Sequence, residues 1–129
     1  MTPTITALYA ALITLVYFVL TWRVITYRRA NQLSLGDSGD KNLLKRMRAQ
    51  ANCAENAPLG LILILLVELQ GAPAIAVHGL GMLLLAGRIV HPLGFAVTPQ
   101  KIVLRQIGML LTFACLLLAA FGLLAHAVF

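Results

Sequence analysis

Four long apolar runs separated by three polar breaks set the architecture of this chain. The first, Ile5 to about Tyr27, can cross a hydrocarbon core of roughly 30 Å at about 1.5 Å per helical residue, with Tyr9, Tyr17, Trp22 and Tyr27 toward its ends or flanks. It predicts a membrane helix over 5–27. Arg23, Arg28 and Arg29 close that run, and the stretch Asn31 to Asp40 is polar and rich in turn residues, with Asp40 placed to cap the second helix. That second helix is predicted over 41–70, longer than a bilayer requires, so its charged first turns project into headgroups or water. Gly71 and Pro73 turn the chain into a third, glycine-rich helix over 74–92, and Thr98-Pro99 separates it from a fourth over 101–127. No repeat or linker divides the pattern, which reads as one all-α, integral membrane four-helix bundle over 1–129.

Composition sharpens that reading. At 60% hydrophobic and 11% charged residues over 129 positions, the chain lies far below the roughly 25% charge of soluble domains. The net charge of +6 does not point to nucleic acid, because the basic residues gather at predicted helix ends, as membrane topology requires. Four crossings put both termini on one side. The basic loop from Arg23 to Arg48 and the connection near Lys101 and Arg105 share the other, which the positive-inside rule assigns to the cytoplasm. The first run lacks a basic segment before it and a clear cleavage site after it, so it is expected to be retained. Cys53 and Cys115 fall inside helices with no CxxC and read as small apolar residues; no spacing suggests a metal site.

The second helix departs from a plain membrane span. Lys41, Lys45, Arg48, Asn52 and Glu55 share one face and carry charge into a segment that continues Leu-Gly-Leu-Ile-Leu-Ile-Leu-Leu-Val. Ionisable groups at that depth are expensive and usually serve a site. On the third helix Arg88, His91 and Phe95 recur at i, i+3 and i+7, and Arg105 on the fourth reaches the same level, with Arg28 or Arg29 above it. One carboxylate cannot neutralise Arg48, Arg88 and Arg105 together, so the set suits a small anion, with Glu55 pairing an arginine or receiving an ammonium group. The plainer alternative has Glu55 pair with Arg48 or Arg88 to pin the helices, while the other cations snorkel to the interface. Glu68, near the outer end of the second helix, is expected to be solvated or interfacial, and so are His78 and His126.

Arg48-Ala-Gln-Ala-Asn52-Cys53-Ala-Glu55-Asn56-Ala-Pro58 resembles the signature of the MAPEG superfamily, the membrane-associated proteins in eicosanoid and glutathione metabolism. Gly87-Arg88-Ile-Val-His91 is similar to the family's third-helix motif, and Leu104-Arg105-Gln-Ile-Gly108-Met to the fourth-helix motif of its bacterial branch, so the likeness covers essentially the whole chain. The resemblance implies a homotrimer with glutathione bound at the cytoplasmic level between subunits. It assigns cofactor contacts to Arg48, Gln50, Asn52, Glu55, Arg88 and His91, and to Arg28 or Arg29. The arginine that stabilises the thiolate in enzymes of the family corresponds to Arg105, or in another register to Lys101. His91 and Phe95 stand where eicosanoid enzymes carry tyrosines, and Asn56 where a tyrosine can follow the glutamate, so fewer hydroxyl donors reach the ligand.

Glutathione carries two carboxylates and one ammonium, which suits several arginines and one glutamate, and a guanidinium beside its thiol raises the thiolate fraction. The expectation is therefore a glutathione transferase or peroxidase acting on hydrophobic electrophiles or lipid hydroperoxides that arrive from the membrane. A lipid-binding or scaffold member of the same superfamily is the alternative, and it would not need to ionise a thiol. A small multidrug exporter fits less well, because the first helix holds no carboxylate for proton exchange. The short termini and the bacterial look of the fourth-helix motif point to a bacterial inner membrane.

Overall fold

Four helices, α1 (Thr4–Ala30), α2 (Lys41–Leu69), α3 (Ala74–Ala96) and α4 (Ile102–Val128), make up the computed structural model, which describes residues 2–129. Each is long and apolar enough to cross a membrane. Around the bundle the helices follow the order α1, α2, α4, α3, with α2 and α3 meeting across the middle and α1 and α4 held apart. Large apolar side chains such as Leu15, Phe18, Leu110 and Phe121 are at least 60% exposed, a surface only lipid would tolerate.

Inward-facing residues are small wherever helices approach closely, because in lipid packing and polar contacts, not apolar burial, draw helices together. On α2 the buried line is Ala49, Cys53, Ala57, Gly60 and Ile64, at helical spacing. The tightest seam joins α3 to α4. A Cβ on Gly108 would stand 2.5–2.6 Å from the backbone of His91, and one on Gly87 would stand 2.8 Å from the carbonyl oxygen of Gly108. Gly87 and Gly108 are therefore required by close approach of the two backbones.

Local signals account for most helix ends. The Asp40 carboxylate accepts from the backbone N–H groups of Asn42 and Leu43 at 2.8 and 3.1 Å, the cap expected for α2. The Tyr27 hydroxyl donates to its other oxygen at 2.8 Å, tying the end of α1 to the start of α2. Helix α3 differs from expectation: it runs through Pro92 and ends at Ala96, followed by extended Val97. A proline costs a helix mainly one hydrogen bond and a clash with the carbonyl four residues earlier, which the packed α3–α4 seam outweighs here.

Glu68, expected to be solvated or interfacial, is not solvated. It is only 9% exposed, and its two oxygens accept from the backbone N–H groups of Ile5 and Thr6 at 3.0 and 2.7 Å. The start of α1 has no side-chain cap of its own, and its antiparallel neighbour supplies one.

Candidate functional site

Arg88 is the largest side chain in the molecule that is fully buried, at 1% exposure. Its Nη1 donates to Asn52 Oδ1 at 2.6 Å and to the Asn52 carbonyl at 3.2 Å. Nε and Nη2 donate to Thr112 Oγ1 at 3.2 and 2.7 Å, and Nη2 also reaches the sulfur of Met109 at 3.5 Å. The Thr112 hydroxyl in turn donates to the Gly108 carbonyl at 2.9 Å. One guanidinium thus ties α2, α3 and α4 together at one level, and its partners are neutral oxygens and a sulfur. Charge-assisted bonds of this kind are about twice as strong as neutral ones.

The consequence falls on Asn52. With its Oδ1 held by Arg88, its amide NH2 is left as the group available for another acceptor, on a side chain that cannot swing. Two residues expected at the site are therefore bonded to each other, and the buried one acts through its neighbour. Asn56 donates to the Asn52 carbonyl at 2.9 Å and stiffens the same turn.

Arg48 and Glu55, by contrast, are exposed. At about 100° per residue they stand nearly opposite the buried line of α2, so neither lies inside the bundle and Glu55 does not pair with Arg88. Counting the roughly 20 residues of a membrane span back from Gln70 puts the hydrocarbon boundary near Ala51, with Glu55 about one turn inside it. Helix α2 thus presents a cation at the headgroup level and, just inside the hydrocarbon, a held amide and a carboxylate, the last at a depth where an unpaired charge is expensive.

Arg105 is half-buried where α4 begins, one turn before Met109. Its guanidinium carbon lies 4.1 Å from the centre of the Phe95 ring, Nη1 donates to Gln100 Oε1 at 3.0 Å, and Nε is buried with no partner. The His91 ring is tilted at 58° to the same Phe95 ring, 5.4 Å between centres, and its Nδ1 is likewise buried without a partner among the described residues. These two orphaned nitrogens lie on the α3–α4 seam, which Gly94 keeps open: a Cβ there would meet the Arg105 side chain at 2.5 Å. Lys101 is exposed just ahead of α4.

The remaining expected residues are partly committed to the fold. Arg28 donates to the Gly36 carbonyl at 2.8 Å and reaches Met47 sulfur at 3.3 Å, holding the α1–α2 loop; Arg29 is exposed. Gln50 donates to the Tyr17 hydroxyl at 3.0 Å. Thr112 was not among the expected residues, because a single hydroxyl in an apolar helix gives little signal; its position four residues after a close-packing glycine was the available clue. An anionic ligand with one ammonium group needs cationic donors and one carboxylate acceptor, and the outer face of α2 offers both in exposed Arg48 and Glu55, with the NH2 of Asn52 as a further donor; the unpartnered nitrogens of Arg105 and His91 are buried inside the α3–α4 seam.

Comparison with known proteins identifies the family of the chain. The inner membrane protein YecN of Escherichia coli strain K12 is 35% identical over 91 residues, 70% of each chain, and YecN of Escherichia coli O6:H1 strain CFT073 matches to the same extent. The MAPEG family matches residues 6–125, which takes in every candidate site residue. This four-helix membrane chain belongs to the MAPEG family.

Proposed function

We propose that this protein is a glutathione transferase or peroxidase of a bacterial inner membrane, a homotrimer in which glutathione lies between α2 of one subunit and the neighbouring subunit. The observation that carries the reading is the exposed face of α2 that straddles the hydrocarbon boundary, with Arg48 about one turn outside it, Glu55 about one turn inside it, and between them an asparagine held by Arg88. A face of that composition is costly against lipid, and a zwitterionic tripeptide covered by a second subunit satisfies it. Arg48 takes a carboxylate, Glu55 the ammonium group, and the Asn52 NH2 a carbonyl or carboxylate oxygen. Gln50, Arg29 and Lys101 supply secondary polar contacts, and Arg28 keeps the loop in place.

Arg105 is the group suited to the thiol, since it is half-buried, among the described residues only its Nη1 is engaged by a side-chain oxygen, and its position is fixed by Phe95 and Gln100. A guanidinium beside sulfur favours the thiolate, which attacks an electrophilic carbon, forming an S–C bond as the leaving group departs with its electron pair. On a lipid hydroperoxide the S–O bond forms as the O–O bond breaks, the alkoxide leaves with the electron pair and takes up a proton to give the alcohol, and a second glutathione thiol reduces the sulfenic acid to the disulfide with release of water. One observation favours a binder that does not activate the thiol, namely that Arg105 is already engaged by Gln100 and Phe95.

The experiment that separates them is ultraviolet difference absorbance of the detergent-purified protein on adding glutathione, for wild type and Arg105→Leu. A thiolate band in wild type that vanishes in the variant supports the enzyme. Glutathione binding by calorimetry with no thiolate band in wild type moves the reading to the binder, and crosslinking that yields only monomers sinks the shared site.

A further inference from the structure

A second cationic feature lies where α2 meets α1 at the mouth of the bundle; it takes in Lys45 from the edge of the polar stripe and Arg46 from beyond it, and the glutathione reading uses neither. Arg23 and Tyr27 of α1, Asn42, Lys45 and Arg46 of α2, and Thr98 after α3 line a cavity of about 230 Å³ at the mouth of the bundle. That is several times the roughly 30 Å³ share of one water, room for a phosphate with part of an attached glycerol. Three cations line the cavity and no carboxylate does. The nearest acid, Asp40, is committed to capping α2 and to the Tyr27 hydroxyl, while Arg46 is steadied over the Tyr27 ring at 4.8 Å. Asn42 and Thr98 add neutral donors.

Arg23 also lines a second cavity of about 230 Å³ that runs into the membrane between α1 and α3. Apart from Arg23 its walls are wholly apolar: Val16, Val19 and Leu20 on one side, Ile89, Pro92 and Leu93 on the other. One guanidinium therefore stands where a tri-cationic chamber meets an apolar groove at the membrane surface, the outline of a lipid with an anionic head and an acyl chain. We infer that the α1–α3 groove and the chamber above it hold an anionic phospholipid, its phosphate among Arg23, Lys45 and Arg46 and one acyl chain against Leu20 and Leu93. Three like charges facing one chamber call for an anion, and the leaflet beside a basic loop is where anionic lipids gather. A small soluble anion would fill the chamber and leave the groove unexplained.

The test is native mass spectrometry of the full chain, stripped of lipid in mild detergent and titrated with phosphatidylglycerol or phosphatidylcholine, each with and without millimolar inorganic phosphate. Phosphatidylglycerol should be retained at least about tenfold more tightly than phosphatidylcholine, with phosphate failing to displace it. Lys45→Gln with Arg46→Gln, both half-buried positions on a long helix, should weaken phosphatidylglycerol by roughly 25-fold, about fivefold per cation, and leave phosphatidylcholine unchanged. Arg46→Lys, which keeps the charge and guards against a folding defect in the double variant, should retain the lipid. Leu93→Trp, filling the groove at a half-exposed position, should weaken phosphatidylglycerol with all three cations intact. Equal retention of the two lipids overturns the inference, as does retention unaffected by Leu93→Trp. Displacement by phosphate alone marks a simple anion site and also overturns it.

Discussion

Arg88, which meets α2 at Asn52, and Arg48, one turn earlier on α2, both lie in motifs read as ligand contacts, yet the structure gives them opposite lives. Arg88 is sealed among α2, α3 and α4 with Nε, Nη1 and Nη2 all engaged, whereas Arg48 stands exposed on α2 with Glu55 about two turns on along the same face. The sealed residue builds and the open one is free to bind. Their difference comes from helix rotation: Arg48 lies one residue from buried Ala49 but about 100° round the helix, enough to turn it away from the bundle.

The largest effect expected from this contrast comes from exchanging construction for binding. Arg88→Ala removes the guanidinium and leaves the oxygens of Asn52 and Thr112 unpaired beside a cavity, a loss of about 3–5 kcal/mol. Unfolding in mixed micelles should show it as a large fall in stability, with glutathione binding lost alongside. Glu55→Gln should do the reverse: stability within about 0.5 kcal/mol of wild type, as for an exposed substitution, and glutathione affinity by calorimetry down at least about tenfold. If Arg88→Ala were stable and Glu55→Gln bound glutathione normally, the division of labour between buried and exposed groups would be wrong.

A middle-sized effect tests whether construction extends to the far end of the bundle. Glu68→Ala strips the first turn of α1 of the carboxylate that caps Ile5 and Thr6, at a cost of about 1–2 kcal/mol. Hydrogen exchange should rise at those two amides first, with the Arg88 level still protected. Uniform loss of protection throughout α1 would mean instead that the carboxylate holds the helix in place as a whole.

These two buried polar groups also mark how far the sequence could be read. The four helices were legible because each apolar run is long enough to span lipid and is broken by turn residues, and the stripe from Lys41 to Glu55 was legible because helical spacing puts charge on one face. Partnership was not. Which way Arg88 turns depends on the approach of α3 to α4 across Gly87 and Gly108, and that distance is set by two glycines on different helices. Glu68 meets the start of α1 only because α1 and α2 are antiparallel and of matching length, a relation no local window contains. The continuation of α3 through Pro92 has the same origin, since packing outweighs a local breaker.

The smallest effect belongs to Asp40, a polar group satisfied as fully as Arg88 but at the water side. The backbone N–H of Leu43, then the Tyr27 hydroxyl and the N–H of Asn42, hold its carboxyl below the usual carboxylate range by stabilising the charged form. A folded-state value lower than the unfolded one means that its contribution is fully present above the unfolded value of about 3.8 and is lost as pH falls through the lower, folded value. Asp40→Asn keeps a capping oxygen but has no charge to lose, so its melting temperature near neutral pH should stay within a few degrees of wild type. The acid limb should then be shallower in the variant. Identical acid limbs would show that the cap works through geometry alone, and that charge in this protein matters only where lipid or burial raises the cost of leaving it unmatched.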